Sequence, residues 1–146
     1  MTELNHARSF RDLVVYQKAK MVSRTIFEVS KHFPKEETYS LTDQIRRASR
    51  SIGAQIAEAW AKRRYEKHFV SKLTDADAEQ TETQHWIDEA CECQYLDPKK
   101  AEELTEELMQ IGRMLNSMMV KAHLFCGQSY HVIREDVAEY MVQTDD

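Results

Sequence analysis

Glu82 and His85 are the residues whose types and spacing most resemble a metal site. A Glu-x-x-His pair places a carboxylate and an imidazole on one helical face. Di-iron four-helix bundles use two such pairs, together with glutamates from two further helices. The apolar stripes of the first two predicted helices contain no glutamate. We therefore interpret the pair as part of a solvated helix face and expect no metal there.

A second candidate for metal binding is the pair Cys91 and Cys93, with His123 and Cys126 further along the chain. Residues two apart on a helix point about 200° apart, so they cannot easily share one ion. Zinc sites usually separate such cysteines by two to four residues. We interpret the three cysteines as free thiols. Their odd number and irregular spacing predict a reducing compartment, the cytoplasm.

No motif for covalent or phosphoryl-transfer chemistry is recognisable in the sequence. It contains no serine elbow and no glycine-rich phosphate loop, and its six histidines are scattered. No apolar run approaches the roughly 18 residues that a membrane-spanning helix needs. We therefore predict a protein that is not an enzyme, requires no cofactor and does not enter a membrane.

A basic region is the most informative polar feature. Residues 46–67 hold seven bases and two acids, a net charge of +5, whereas residues 75–107 hold twelve acids and two bases, a net charge of −10. Arginine forks match the geometry of phosphate groups, and Tyr65 and Phe69 add stacking surfaces near them. The predicted residues for binding nucleic acid or a partner are Arg46, Arg47, Arg50, Lys62, Arg63, Arg64 and Lys67.

The charge pattern also allows an alternative without nucleic acid. The two regions of opposite charge then face each other, either within one protomer or between copies. The whole chain has a net charge of −5 and an isoelectric point near 5.7, which argues against a broad basic surface.

Four amphipathic helices must position these residues. Apolar side chains recur at steps of three and four, the period of a helix with one buried face. The helices are predicted at about 10–33, 37–63 and 65–94, and a fourth begins at Pro98. The predicted inner positions are Val15, Ala19, Val22, Ile26, Val29 and Phe33; Leu41, Ile45, Ala48, Ile52, Ile56 and Ala59; Phe69, Leu73, Ala76, Thr83, Ile87 and Ala90; and Ala101, Leu104, Leu108, Ile111, Leu115, Met118 and Ala122.

Individual residues set the ends and contacts of these helices. Pro34 ends the first helix, and Asp97 caps the fourth. Gly53 predicts a close helix contact, within a run of small residues that we interpret as the seam of the bundle. Gln80 falls at an inner position of the third helix, where a buried amide must find hydrogen-bond partners.

The fold class predicted from this pattern is all-α. Short links between four helices make an antiparallel, up-down-up-down four-helix bundle. We predict a single domain over residues 1–146, with the bundle at about 10–122 and a short C-terminal extension at 123–146. Two alternatives stay open for the extension, a short amphipathic helix or a mobile segment.

The segments FRDLVVYQKA, HFPKEETYSLTDQIRRASRSIGAQIAEA and ETQHWIDEA resemble the four-helix-bundle proteins encoded in intervening sequences of bacterial large-subunit ribosomal RNA genes. The resemblance spans about residues 10–122. The accessory variability determinant of diversity-generating retroelements looks like a relative with the same bundle. The resemblance implies a ring-like homopentamer and, in the retroelement branch, binding of a reverse transcriptase and nucleic acid.

Two features depart from the pattern of that family. Residues 55–59 read Gln-Ile-Ala-Glu-Ala, where the family usually has Asn-Ile-Ala-Glu-Gly, so the bend after the second helix is expected to differ. The retroelement proteins are typically basic, whereas this chain is acidic.

The sequence therefore predicts a non-catalytic homo-oligomeric adaptor. It binds RNA or DNA, or a nucleoprotein partner such as a reverse transcriptase. The alternative is a structural or protein-interaction bundle that binds no nucleic acid. Arg46, Arg47 and Arg50 are expected on a flank of the second helix, facing either the partner or the acidic helices of a neighbouring copy in a ring.

Overall fold

Four α-helices form the chain in a computed structural model that describes residues 7–128. They are α1, Val14–Ser30; α2, Asp43–Ala61; α3, Glu66–Glu92; and α4, Pro98–Val120. Each helix packs against its neighbours in the chain, and α1 also packs against α4, which closes the bundle. The all-α class and the antiparallel four-helix bundle are confirmed. Residues 129–146, and with them both alternatives for the extension, lie outside the described part.

The core consists of the residues that the three-and-four spacing indicates. Every predicted inner position is buried except Val29, which is half-buried. The largest fully enclosed side chains include Phe69, Ile26 and Ile45. None of the described helices combines the length and apolar character needed to cross a membrane.

Helix α1 is shorter than the predicted span of 10–33. Residues Phe10–Asp12 form a separate 3₁₀ turn, closed by a reciprocal cap in which the Ser9 hydroxyl accepts from the amide of Arg11 and Asp12 accepts from the amide of Ser9. The cap satisfies these amides at the start of the turn. Leu13 is extended and separates the two.

Helix α2 also begins later than predicted. A 3₁₀ turn at Lys35–Glu37 and a π-turn at Thr38–Thr42 precede it, and the π-turn buries Leu41. At the other end, an exposed turn containing Lys62 separates α2 from α3, so the predicted division into two helices is confirmed.

The start of α4 follows the predicted capping pattern. The Asp97 carboxylate accepts hydrogen bonds from the amides of Lys99 at 3.1 Å and Lys100 at 3.2 Å. Pro98 occupies the first turn, where a missing amide proton costs nothing.

A cluster of polar side chains of α3 lies where this helix faces α4. The Gln80 amide nitrogen donates to Asp77 at 2.9 Å, and its oxygen accepts from Gln84 at 2.8 Å. Gly112 of α4 lies opposite, and a methyl group built there would stand 2.8 Å from the Gln80 nitrogen. The buried amide therefore has partners, as predicted, and its space depends on the glycine.

Gly53 makes a looser contact than we expected. A methyl group built on it would lie 3.4 Å from the ring of Tyr16, which is an ordinary van der Waals distance. The tighter contact at a glycine therefore occurs at Gly112, against the Gln80 side chain, rather than at Gly53.

We expect Gly112→Ala to be less stable than Gly53→Ala by about 1–3 kcal/mol. Each substitution improves helix propensity by about 1 kcal/mol, but only the one at Gly112 displaces a buried, hydrogen-bonded amide. Urea unfolding at one protein concentration measures the difference. Equal stabilisation by both alanines would contradict it, and Gln80→Ala should remove the penalty at Gly112.

A hydrogen bond joins the two connections at one end of the bundle. The Tyr95 hydroxyl donates to Glu37 at 2.8 Å, and the Ser40 hydroxyl donates to the same carboxylate at 2.6 Å. The bond from Ser40, and then the bond from Tyr95, lowers the pKa of Glu37. The bond to Glu37 raises the pKa of Tyr95 to about 12.

The stabilisation by Glu37 should be present at neutral pH and lost in acid. A carboxyl group with a lowered pKa in the folded chain stabilises above its unfolded pKa and loses this effect as protons bind. The unfolding free energy of the wild type should therefore exceed that of Glu37→Gln at pH 7, and the gap should close as pH falls below the ordinary value of 4.5. Denaturant titrations across this range test it. Glu36→Gln is the matched control, and the same closing gap in the control would contradict the assignment.

Candidate nucleic-acid interface

A groove of about 440 Å³ lies between α1 and α2. Through Arg50 and Ala54 it continues into a second depression along α2. We call the two together the α1–α2 groove. Its α2 side is made mainly of small residues, which leave room above the helix backbone: Ser49, Ser51, Gly53, Ala54 and Ala57.

The small residues of α2 therefore serve two surfaces. Ala48, Ser49 and Ala59 are buried, as expected for the seam of the bundle. Gly53 and Ala54 are partly or largely exposed in the groove, so the prediction that the whole run forms the seam is wrong. The reason is geometric, because successive residues of a helix point to different sides.

Five cations border the α1–α2 groove. They are Lys20, Arg24, Arg46, Arg47 and Arg50. Asp43 is the one carboxylate among the described lining residues. Within residues 7–128, none of the five cations forms an ion pair with a carboxylate. The groove thus concentrates positive charge in a chain that is acidic overall.

Phe27 organises two of these cations. The guanidinium of Arg46 lies 4.7 Å from the centre of the Phe27 ring, and that of Arg50 lies 5.4 Å from it. Arg46 also donates from Nε to the Ser30 hydroxyl at 2.7 Å. Cation–π attraction holds both groups over one ring, although their like charges repel. An anion between them would replace repulsion with charge-assisted hydrogen bonds.

The other predicted bases lie at the opposite end of α2. Lys62, Arg63, Arg64 and Lys67 surround the turn into α3, about 24 Å along the helix from Arg47 at 1.5 Å per residue. We call these four residues the end cluster. The seven predicted residues therefore form two separate groups.

Arg63 is the member of the end cluster held most firmly. Its guanidinium lies 4.0 Å from the centre of the Trp60 ring and donates to the Trp60 carbonyl at 2.9 Å. Burial lowers the pKa of this guanidinium. Arg64 lies 5.9 Å from the centre of the Tyr65 ring, while Lys62 is exposed.

The opposite side of the bundle is acidic. Helices α1 and α2 together carry six bases and three acids, whereas α3 and α4 carry five bases and twelve acids. Burial, and then the neighbouring carboxylates of Glu82 and Asp75, raise the pKa of Glu79. The bundle thus has a positive side of net charge +3 and a negative side of net charge −7.

Few ion pairs join the two sides. Lys72 of α3 binds Glu58 of α2 at 2.9 Å and Asp75 at 3.4 Å. In the pair with Lys72, the residue from the basic region is the acid Glu58, so this pair neutralises none of the bases in that region. Pairing within one protomer therefore leaves the α1–α2 groove unneutralised among residues 7–128.

The residues of the two candidate metal sites, Glu82 with His85 and the three cysteines, are not gathered around a common point. Glu82 accepts a hydrogen bond from Trp86 at 3.0 Å. Cys91 and Cys93 lie near the junction of α3 and α4, whereas Cys126 follows the far end of α4. Burial raises the pKa of the Cys126 thiol to about 11, so it is protonated at neutral pH. Within residues 7–128, no three acidic, histidine or cysteine side chains are grouped to hold a metal.

Lys20 and Arg24 are not among the predicted site residues. The predicted basic region counts charge along one stretch of chain, whereas the groove is built from two helices. One signal was present in α1. Tyr16, Lys20, Arg24 and Phe27 recur at steps of three and four, so they share a face outside the apolar stripe.

The fold and the groove define an all-α, four-helix-bundle protein with a cationic groove on one side and an acidic surface on the other. The chain belongs to the family of 23S rRNA-intervening sequence proteins, whose family model matches residues 11–117. The family indicated by the sequence motifs is thereby confirmed.

A solved structure has the same architecture. It is a crystal structure of a protein with unknown function from the S23 ribosomal protein family of Bacteroides thetaiotaomicron. The identity is 27%, the TM-score is 0.67, and the match covers 73% of this chain and 98% of the other. Among curated proteins, none matches the chain.

Arg46 and Arg47 should differ in their effect on folding. Arg46→Ala removes a charged hydrogen bond and a ring contact and should lower the unfolding free energy by about 1–2 kcal/mol. Arg47→Ala removes an exposed side chain without such contacts and should change it by less than about 0.5 kcal/mol. Urea unfolding midpoints compare the two. Equal losses would contradict the different roles of these neighbours.

Proposed function

We propose that this protein is a non-catalytic, homo-oligomeric adaptor that binds nucleic acid through the α1–α2 groove. The observation that carries the proposal is the group of five groove cations, none of which has a carboxylate partner within residues 7–128. Unpaired like charges at close range favour a bound polyanion.

The shape and chemistry of the groove favour the phosphate backbone as ligand. Arginine side chains bind phosphate oxygens in bidentate fashion. Duplex nucleic acid presents one charge per about 1.7 Å of its axis, so several cations can engage it at once. The small floor residues allow a backbone to approach α2 closely. Binding of this kind is expected to depend strongly on salt and weakly on sequence.

A nucleoprotein partner is part of the same proposal. The resemblance to the accessory proteins of diversity-generating retroelements supports a reverse transcriptase, whose bound nucleic acid would engage the groove. We propose the cytoplasm as the compartment, where the free thiols stay reduced.

The charge separation supports self-assembly. A positive α1–α2 side and a negative α3–α4 side are complementary between copies. A head-to-tail contact of this kind closes into a ring when the rotation between copies permits it. We propose such a ring, a homopentamer as the family resemblance implies.

A second candidate function rests on the same two sides. If the acidic side of one copy occupies the groove of the next, the groove cations serve assembly alone. The protein is then a structural or protein-interaction bundle without nucleic acid. Because both candidates use the same cations, affinity and mass must be measured on the same variants.

A charge-reversal variant tests the proposal. The groove variant combines Lys20→Glu, Arg24→Glu, Arg47→Glu and Arg50→Glu, and it retains Arg46, which holds Ser30. The control variant carries the same charge change at exposed bases outside the groove: Arg8→Glu, Lys35→Glu, Lys99→Glu and Lys121→Glu. Labelled single-stranded RNA and duplex DNA serve as probes in anisotropy titrations over a range of salt.

We expect the wild type to bind at low salt and the groove variant to lose this binding. The slope of log affinity against log salt should fall by about three in the groove variant, because four phosphate contacts are removed. The control should keep most of the slope. No binding by the wild type, or equal losses in both variants, would refute the groove as the site. Light scattering on the same samples separates the candidates: a groove variant that dissociates, from a wild type that binds no probe, supports the structural bundle.

A further inference from the structure

Residues 129–146, which follow the described part of the chain, are acidic. They contain five acids and one base, a net charge of −4 with neutral histidine. The acids are Glu135, Asp136, Glu139, Asp145 and Asp146, and the base is Arg134. We call these 18 residues the acidic segment.

The chain reaches the acidic segment beside the end cluster. The last described turn, Leu124–Gln128, packs against the start of α3, where the Phe125 ring stacks on Phe69 at 5.6 Å between centroids. Cys126 is buried close enough to Arg63 and Glu66 for their charges to influence its pKa. The last described turn, after which the acidic segment begins, therefore lies close to Arg63 of the end cluster.

The end cluster contains accessible cations that can bind an acidic partner. Lys62 and Lys67 are exposed, and Arg63 is half-buried. None of these three forms an ion pair with a carboxylate within residues 7–128. Glu66 is the one acid among residues 62–67. Cations without a carboxylate partner among the described residues therefore lie close to the residue after which the acidic segment begins.

We propose that the acidic segment binds the end cluster of its own chain and covers it against other polyanions. A short tether gives a local concentration in the millimolar range, which makes even weak ion pairs effective. The α1–α2 groove is within reach, since 18 extended residues span about 60 Å. The end cluster is favoured because local concentration falls as the span lengthens. The two groups of cations thus have different occupants. The docking is independent of the proposed nucleic-acid binding, whereas the covering rests on it.

Zero-length crosslinking tests the docking on the full chain. A carbodiimide joins a carboxylate to a lysine amine only when the two are in contact, and mass spectrometry identifies the pair. Mixing labelled and unlabelled chains separates crosslinks within a chain from those between copies. We expect links from Glu135, Asp136 or Glu139 to Lys62 or Lys67 within one chain, and their loss at about 1 M salt. Links to Lys20 instead, links between copies only, or no links above the level at exposed Lys35 would overturn the proposal.

Nucleic-acid titrations test the covering. One full-chain variant neutralises the acidic segment: Glu135→Gln, Asp136→Asn, Glu139→Gln, Asp145→Asn and Asp146→Asn. Its control neutralises five exposed acids of the bundle: Asp88→Asn, Glu89→Gln, Glu92→Gln, Glu102→Gln and Glu107→Gln. Uncovering the end cluster gives an RNA bound in the groove a second cationic contact, which should raise affinity for the RNA probe about fivefold over the control. Equal affinity in the two variants would overturn the covering. If no form of the protein binds the probe, the proposed function fails, and the crosslinks still decide the docking.

Discussion

Burial of four apolar stripes against one another is the constraint on which the rest of this structure depends. Each stripe is too narrow to enclose itself, so each helix must pack against two others. Among the described residues, charged side chains are then confined to the outer faces, and their distribution there is free to vary. In this chain the bases are divided almost evenly between the two sides, whereas most acids lie on α3 and α4, so α1 and α2 keep a net positive charge. The charge separation is therefore carried by a scaffold that does not depend on it.

Arginines one residue apart have different roles because a helix turns by about 100° per residue. Arg46 points back to α1, where Ser30 and Phe27 hold it. Arg47 points away and remains exposed. A side chain that is fixed in this way pre-organises the charge beside it, so a ligand entering the groove meets part of the site already ordered.

The core was predictable from the sequence because its signal is local. The spacing of apolar residues, with Pro34 and Asp97 at the ends, is read within one helix. Features made by two helices were not predictable in the same way. Gly53 and Gly112 look alike in sequence, and only the position of Gln80 on a neighbouring helix gives the second its importance. Lys20 and Arg24 join the groove only when α1 packs beside α2. The start of α2 was missed because 3₁₀ and π-turns leave no distinct pattern of apolar residues.

The amide of Gln80 facing Gly112 has a consequence for how this scaffold can diversify. Sliding α4 by one turn along α3 would bring a larger residue, Leu108 or Asn116, against the amide, so this contact favours the observed alignment of the two helices. The contact between Gln80 and Gly112 lies on the acidic side of the bundle, away from the α1–α2 groove. Substitutions of the groove residues therefore leave this contact intact, so the surface of the groove can change independently of the alignment of α3 and α4.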